Sequence, residues 1–347
     1  MAGRPGLNDT AAMKIAAPPT LVTAAIALLL AGCATSPAPV IAPRIEATAA
    51  QLEAARRVAL PPEQLSEMLN KPWHKMQPAE LGRFLGWQQL DQPLLRQRVA
   101  ALARKNIGQP YELYLLGEFP YETYDSQPLF SLAKSDCVVF IEHVYAMALS
   151  ASWEEFFWML QRIRYRDGVI GAATRNHYTE ADWNPANSWL VTDITKELAG
   201  DKVTPYRQRI DRKTFLKKQF KIERDIPVQQ FDDVFVPKEA VAQIEAGLQE
   251  GDFVNVISGK DGGYWASHVG LIVLGKDGSR HILHSAEPEV REETLQGFIA
   301  RLAERDARNA GQNKASLAGF KFLRLNEAPQ APPMAPQPRP ARPALLG

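Results

Sequence analysis

Between residues 51 and 105, apolar positions recur every three or four residues in three stretches: LEAARRVAL, PPEQLSEML and LLRQRVAALARK. The second opens on prolines suited to a first helical turn, and together they predict an accessory helical segment. From Val138 to Leu149 nearly every position is apolar apart from Glu142 and His143, which predicts a mostly buried helix, and SWEEFFWMLQRIRYRDG continues the helical pattern. The period then changes. Short runs, DFVNVIS (252–258), HVGLIVL (268–274), RHILHSA (280–286) and FKFLRL (320–325), read as strands separated by turns such as Lys260-Asp261-Gly262-Gly263 and Lys276-Asp277-Gly278. Helices followed by hairpin-linked strands predict an α+β domain over residues 106–325, its central buried helix packed on an antiparallel sheet.

Composition changes this picture mainly at the two ends. With 46% apolar and 23% charged residues among 347, the chain is an ordinary globular protein and not a disordered polymer. Its 40 basic and 39 acidic residues give no overall field for nucleic acid or a membrane surface, so no nucleic-acid partner is expected. Leu21 to Leu30 is a ten-residue apolar run behind Lys14, too short for a bilayer span and suited to a signal peptide over residues 1–32, with Met13 as the expected start. Leu30-Ala31-Gly32-Cys33 resembles the lipobox of bacterial lipoproteins, which implies lipidation of Cys33 and a membrane partner through that lipid. Ala34, rather than Asp, points to the periplasmic face of the outer membrane. Residues 33–50 then read as a Pro/Ala-rich tether. Residues 326–347, with seven prolines in 22 positions, read as a disordered, extended tail.

Lipidation of Cys33 leaves Cys137 as a lone thiol, either a buried small hydrophobe or a nucleophile. Ser135 and Asp136 are both good N-cap residues, so Cys137 falls in the first turn of the buried helix. Backbone N–H groups and the positive end of the helix dipole favour a thiolate there. His268 opens a strand about 130 residues downstream, within the range that separates cysteine from histidine in papain-like proteases, and His284 closes the next strand. A hairpin between the two strands makes these histidines cross-strand neighbours, one to take the thiol proton and the other to orient it. His281 points to the opposite sheet face and is expected to be structural.

These residues resemble the NlpC-type cell-wall cysteine hydrolases, a papain-like superfamily, and more closely its N-acetylmuramoyl-L-alanine amidase-like branch. Gly108-Gln109-Pro110-Tyr111, the helix start at Asp136-Cys137-Val138-Val139-Phe140-Ile141-Glu142 and Arg164-Tyr165-Arg166-Asp167-Gly168 carry the first part of the likeness. Arg175-Asn176-His177-Tyr178 with Asp182-Trp183, Leu248-Gln249-Glu250-Gly251-Asp252, His268-Val269-Gly270 and His284-Ser285-Ala286 complete it. The resemblance implies Cys137 as nucleophile, His268 as general base, His284 as orienting residue and Tyr111 as a donor to the oxyanion, with no metal or cofactor. Tyr121, in a second Pro-Tyr pair, is a rival for that last role, and Val138-Val139 replaces the more common Ser-Gly, which fits the amidase-like branch better.

Arg175, His177, Tyr178, Asp182 and Trp183 lie in a polar stretch with little regular pattern, fitting either substrate contacts to peptidoglycan or an internal network bracing the site wall. Asp136 either binds the substrate amine or caps its helix. Glu142, in a buried helix, requires an arginine partner. His143 is expected to face away from the site and His74 to lie on the surface. Residues 201–224, with nine basic and three acidic side chains, read as a solvated helix face. The leading functional expectation is hydrolysis of the amide between N-acetylmuramic acid and L-alanine. Its rivals are a cut within the stem peptide, a zinc amidase built on His268, His284 and Asp252, and a non-catalytic wall-binding lipoprotein.

Overall fold

The computed structural model describes residues 44–341. The expected signal peptide, Cys33 and most of the expected tether lie outside the described residues, as does the end of the Pro-rich segment. Four helices lead the described chain: α1 (Ala49–Arg57), α2 (Pro62–Asn70), α3 (Pro78–Asp91) and α4 (Leu95–Arg104). Thr48 caps α1 through a reciprocal pair with Gln51, and α2 and α3 each begin on a proline, where the missing N–H is no loss. The buried helix α5 (Cys137–Ala148) and α6 (Trp153–Arg164) follow. The remaining helices are α7 (Asn184–Ala186), α8 (Thr195–Ala199), α9 (Arg212–Phe220), α10 (Val241–Ile244) and α11 (Leu295–Arg308). Among the described residues no helix is long and apolar enough to cross a membrane.

The strands are β1 (Val191–Asp193), β2 (Thr204–Ile210), β3 (Gln229–Pro237), β4 (Phe253–Lys260), β5 (Gly263–Leu274), β6 (Arg280–Ala286), β7 (Glu289–Thr294) and β8 (Ser316–Leu325). They form one antiparallel sheet in the order β2-β3-β8-β4-β5-β6-β7, with β1 also paired to β8. The fold is therefore mixed α+β. Residues 201–224 do not form the single solvated helix expected of them, because Tyr206 and Ile210 supply a period-two buried face to β2 before Asp211 caps α9.

Strand β4 is buried on both faces, so the sheet is covered twice at its centre. On one side Phe253, Val269, Leu271 and Leu283 join a core with α5, α6 and the apolar faces of α1 to α4. The accessory helices thus share the main core. On the other side Val254, Val256, Ile272 and Ile282 pack with Phe298 and Leu302 of α11.

The proline-rich end is extended yet seated, a correction to the expected disorder for its described part. Ala335 N–H donates to Asp167 O at 3.0 Å and Ala341 N–H to Pro120 O at 2.8 Å. Gln337 both donates to Gly168 O (2.8 Å) and accepts from Ile170 N–H (3.1 Å), while Arg162 donates to Pro332 O at 3.1 Å. Met334 lies so close over Gly168 that a Cβ there would meet its Cγ at 2.8 Å. Proline removes donors but leaves carbonyls, and an extended chain with a few polar side chains satisfies them against a loop.

Candidate active site

Asp136 starts α5 by accepting from the Val139 N–H at 2.8 Å, and so acts as its N-cap. Ser135 fixes the same corner to β6: its Oγ donates to Ser285 Oγ at 3.0 Å, and Ser285 Oγ donates back to Ser135 O at 3.0 Å. Cys137 is therefore placed against the sheet by its neighbours. The ladder between β5 and β6 ends at Leu271↔Leu283, and beyond it β5 continues with β4 while β6 continues with β7. Cys137 packs beside Val269, Leu271 and Leu283 near this parting, and the backbone N–H groups of Val269, Val138 and Cys137 itself act to lower its thiol. Burial and the Asp136 charge nevertheless push the thiol up to about 12. The expected thiolate is thus corrected: in the resting protein desolvation outweighs the helix N-terminus.

His268 and His284 come together as the hairpin requires, though diagonally across the strands. His268 Nε2 and His284 Nδ1 are 2.8 Å apart, and both rings pack on Phe298 of α11. Gly270 permits this approach, since a Cβ there would fall 2.6 Å from Ile282 and 3.5 Å from the His284 Cβ. Burial, His284, Arg291 and Arg301 hold His268 well below its ordinary value, so it is neutral at pH 7. No hydrogen bond joins His268 to the Cys137 sulfur among the described residues; Nδ1 is the ring nitrogen that His284 leaves open. Catalytic hydrogen bonds commonly close only when substrate is bound.

One member of this constellation was not anticipated. Glu293 on β7 accepts from His284 Nε2 at 2.9 Å and is itself held by Arg301 at 2.6 and 3.0 Å and by Arg291 at 3.4 Å. Although burial works against it, the His284 and Arg301 hydrogen bonds keep this carboxyl well below the usual range. The sequence offered little signal for it, since Val290 is the only apolar and the only buried position in Glu289–Thr294.

Burial raises the Tyr111 phenol, the Asp136 charge raises it further, and ionisation of Cys137 would do the same. Backbone bonds to Pro288 O and a bridge to Ser135 fix its position. Tyr121 packs instead with Leu129, Tyr165 and Ile170, so of the two rivals Tyr111 is the one beside the cysteine.

The polar stretch from 164 to 189 is largely braced from within. Arg175 donates to Glu118 at 2.7 and 2.6 Å and to Asp125 at 3.1 Å, and lies over the Phe220 ring. Glu142 finds the arginine it requires in Arg164, at 3.0 Å, and also accepts from Trp183 Nε1 at 3.1 Å. Trp183 is only 1% exposed and stacks on Phe253, so its expected contact with substrate is corrected: the ring belongs to the core. His177 binds Ala172 O at 2.6 Å between Phe215 and Phe220, and burial pushes it down to about 3. Asp182 accepts from Tyr178 N–H and pairs with Arg212, whose guanidinium covers the Tyr178 ring. Arg175, His177 and Asp182 line a cavity of about 430 Å³ with Arg166 and Arg212. Tyr178 lines another, of about 410 Å³, with Arg207, Trp265 and Ala266.

His143 is buried, its Nδ1 bonded to Val139 O at 2.7 Å, and burial lowers it to about 4. His281 pairs with Glu292 at 2.8 Å. His74 is not a surface residue as expected but is half-buried against Asn106 at 2.7 Å. Asp252 is committed to Arg96 and Arg324, and among the described residues no group of three His, Cys, Asp or Glu side chains is placed to hold a metal.

A buried cysteine-bearing helix against an antiparallel sheet with paired histidines is a recognisable combination. Residues 101–302 match the AmiA-like family, described as N-acetylmuramoyl-L-alanine amidase-like, and the chain belongs to it. No curated protein matches the sequence. Among solved structures, protein LPG0564 from Legionella pneumophila str. Philadelphia 1 is similar at 18% identity, over 74% of this chain and 96% of that one, with a TM-score of 0.61. An N-acetylmuramoyl-L-alanine amidase from Bacteroides uniformis ATCC 8492 is similar at 21% identity, over 67% of this chain and 99% of that one, with a TM-score of 0.52. Both likenesses are of fold.

Proposed function

We propose that this protein is a peptidoglycan hydrolase that cleaves the amide between N-acetylmuramic acid and L-alanine, using Cys137 as nucleophile in an NlpC-type, papain-like arrangement. The observation that carries the reading is the 2.8 Å pairing of His268 with His284, on strands against which Cys137 and its helix pack. A neutral thiol and a neutral imidazole, brought together over the substrate, define the first step. As Sγ bonds to the lactyl carbonyl carbon, its proton passes to His268 Nδ1, so charge appears only when the substrate can use it. The carbonyl oxygen becomes an oxyanion facing the Cys137 N–H and the Tyr111 hydroxyl, donors of a kind that each contribute about 3 kcal/mol. The C–N bond then breaks, with His268 returning the proton to the leaving amine of alanine. Water attacks the thioester through the same base and restores the thiol.

The side chains around the two cavities supply cationic and aromatic surface for a muropeptide, Arg166 and Arg212 at one and Tyr178 and Trp265 at the other. Lipidation of Cys33 would tether the enzyme to the periplasmic face of the outer membrane, close to that substrate. The decisive test is mass spectrometry of muropeptide digests with wild type and Cys137→Ser. A free intact stem peptide, lost in the variant, is the expected result. A dipeptide left on the sugar would instead identify an endopeptidase, and undiminished cleavage by Cys137→Ser would end the cysteine mechanism.

A further inference from the structure

We propose that Glu293 is a positioning residue that sets the tautomers of both histidines and so keeps the Nδ1 lone pair of His268 available as a base. This inference rests on the cysteine reading for its catalytic meaning, while its structural content stands without it. An ionised Glu293 can only accept, so the 2.9 Å contact requires the proton of His284 to sit on Nε2. His284 Nδ1 then carries a lone pair, and the 2.8 Å contact requires His268 to donate to it from Nε2. A neutral His268 protonated on Nε2 has its remaining lone pair on Nδ1. Reverse any one of these protons and the whole chain reverses, leaving an N–H where the thiol proton must arrive.

The surroundings hold the chain in this direction. Among the described residues the charged groups facing the histidines are Glu293 and Arg291 from β7 and Arg301 from α11, and both rings pack on the apolar Phe298. Arg301 makes two hydrogen bonds to Glu293, one to each oxygen, so the carboxylate is fixed while Oε1 still accepts from His284. When His268 takes a proton, its Nε2–H bond to His284 strengthens, and the Glu293 charge offsets part of the opposing effect of Arg291 and Arg301.

The test reads tautomers directly. Long-range ¹⁵N–¹H correlation spectra of the histidine-labelled full chain are expected to show both His268 and His284 as Nε2–H. Glu293→Ala frees His284 to invert, and both rings are expected to move toward Nδ1–H with a fall in kcat of about 10²–10⁴-fold, KM changing less. Glu293→Gln keeps an acceptor at Oε1, so it is expected to preserve the tautomers and recover most of kcat, with the acid limb of the pH–rate profile displaced because the charge is gone. Should Glu293→Ala unfold, the wild-type and Glu293→Gln spectra still decide. Nδ1–H tautomers in the wild type, or an Ala variant that is folded with unchanged tautomers and kcat, would overturn the proposal. Inverted tautomers in Glu293→Ala alongside full cleavage by Cys137→Ser would leave Glu293 as the tautomer switch and remove the cysteine mechanism alone.

Discussion

Replacing Arg175 with alanine separates a brace from a binding residue. The guanidinium makes a two-pronged bond to Glu118, whose side chain is 0% exposed, and a third bond to Asp125. Once it is gone, Glu118 keeps one hydrogen bond, from the Tyr165 hydroxyl at 3.0 Å. Removing one partner of a buried ion pair typically costs about 3–5 kcal/mol, and the lost stacking on Phe220 adds about 0.5–1 kcal/mol. A total near 4 kcal/mol lowers Tm by about 8–12 °C in a chain of this size. The assay is thermal and urea unfolding beside KM for a purified muropeptide, with Arg175→Met/Glu118→Leu as the control. That double variant removes both charges and is expected to regain most of the stability, because the penalty comes from stranding one charge. An Arg175→Ala protein of wild-type Tm with a sharply raised KM would refute the reasoning and return Arg175 to the substrate.

Asp136→Asn keeps an acceptor for the Val139 N–H but removes the charge that helps hold the Cys137 thiol up, so alkylation by iodoacetamide at pH 9 is expected to quicken roughly tenfold; an unchanged rate refutes the assignment. His143 is kept neutral by burial down to about 4 against an ordinary 6.5. Between those values the unfolded chain binds a proton the native state refuses, so unfolding free energy falls as pH drops through that window, by about 3 kcal/mol, and is unaffected above it. Urea titrations from pH 7 to 4 on wild type and His143→Gln check this: the variant is expected to show a shallower slope, and parallel slopes contradict it.

The sequence made the centre of the molecule readable because its centre is apolar. Helix α5 and strands β4, β5 and β6 are rich in apolar residues with few polar interruptions, and a single hairpin was enough to bring His268 to His284. The edges were harder. Strand β7 reads EVREET, and its polar residues are tied by ion pairs to Arg104 and Arg301, partners remote from any local pattern. Glu293 was missed with the strand that carries it. Strands β2 and β3 were lost for a related reason: Arg207 opposite Asp232 lies at an exposed edge, and charge there looked like a solvated helix. The helix N-terminus and the neighbouring Asp136 are both visible in the sequence, while the burial that raises the thiol, its largest cause, depends on packing.

The protonated state of Cys137 has a consequence for durability. Peroxide and stray disulfides consume thiolates, so a thiol kept protonated by burial is a poor target for either. Under the proposed mechanism it sheds its proton only toward an arriving carbonyl, which would let the protein stand idle under oxidising conditions without being spent. The same mechanism would distinguish between inhibitors: simple alkylating agents meet a discharged atom, whereas an electrophile presented to His268 and Tyr111 would trigger the attack and stay bonded where its adduct resists hydrolysis.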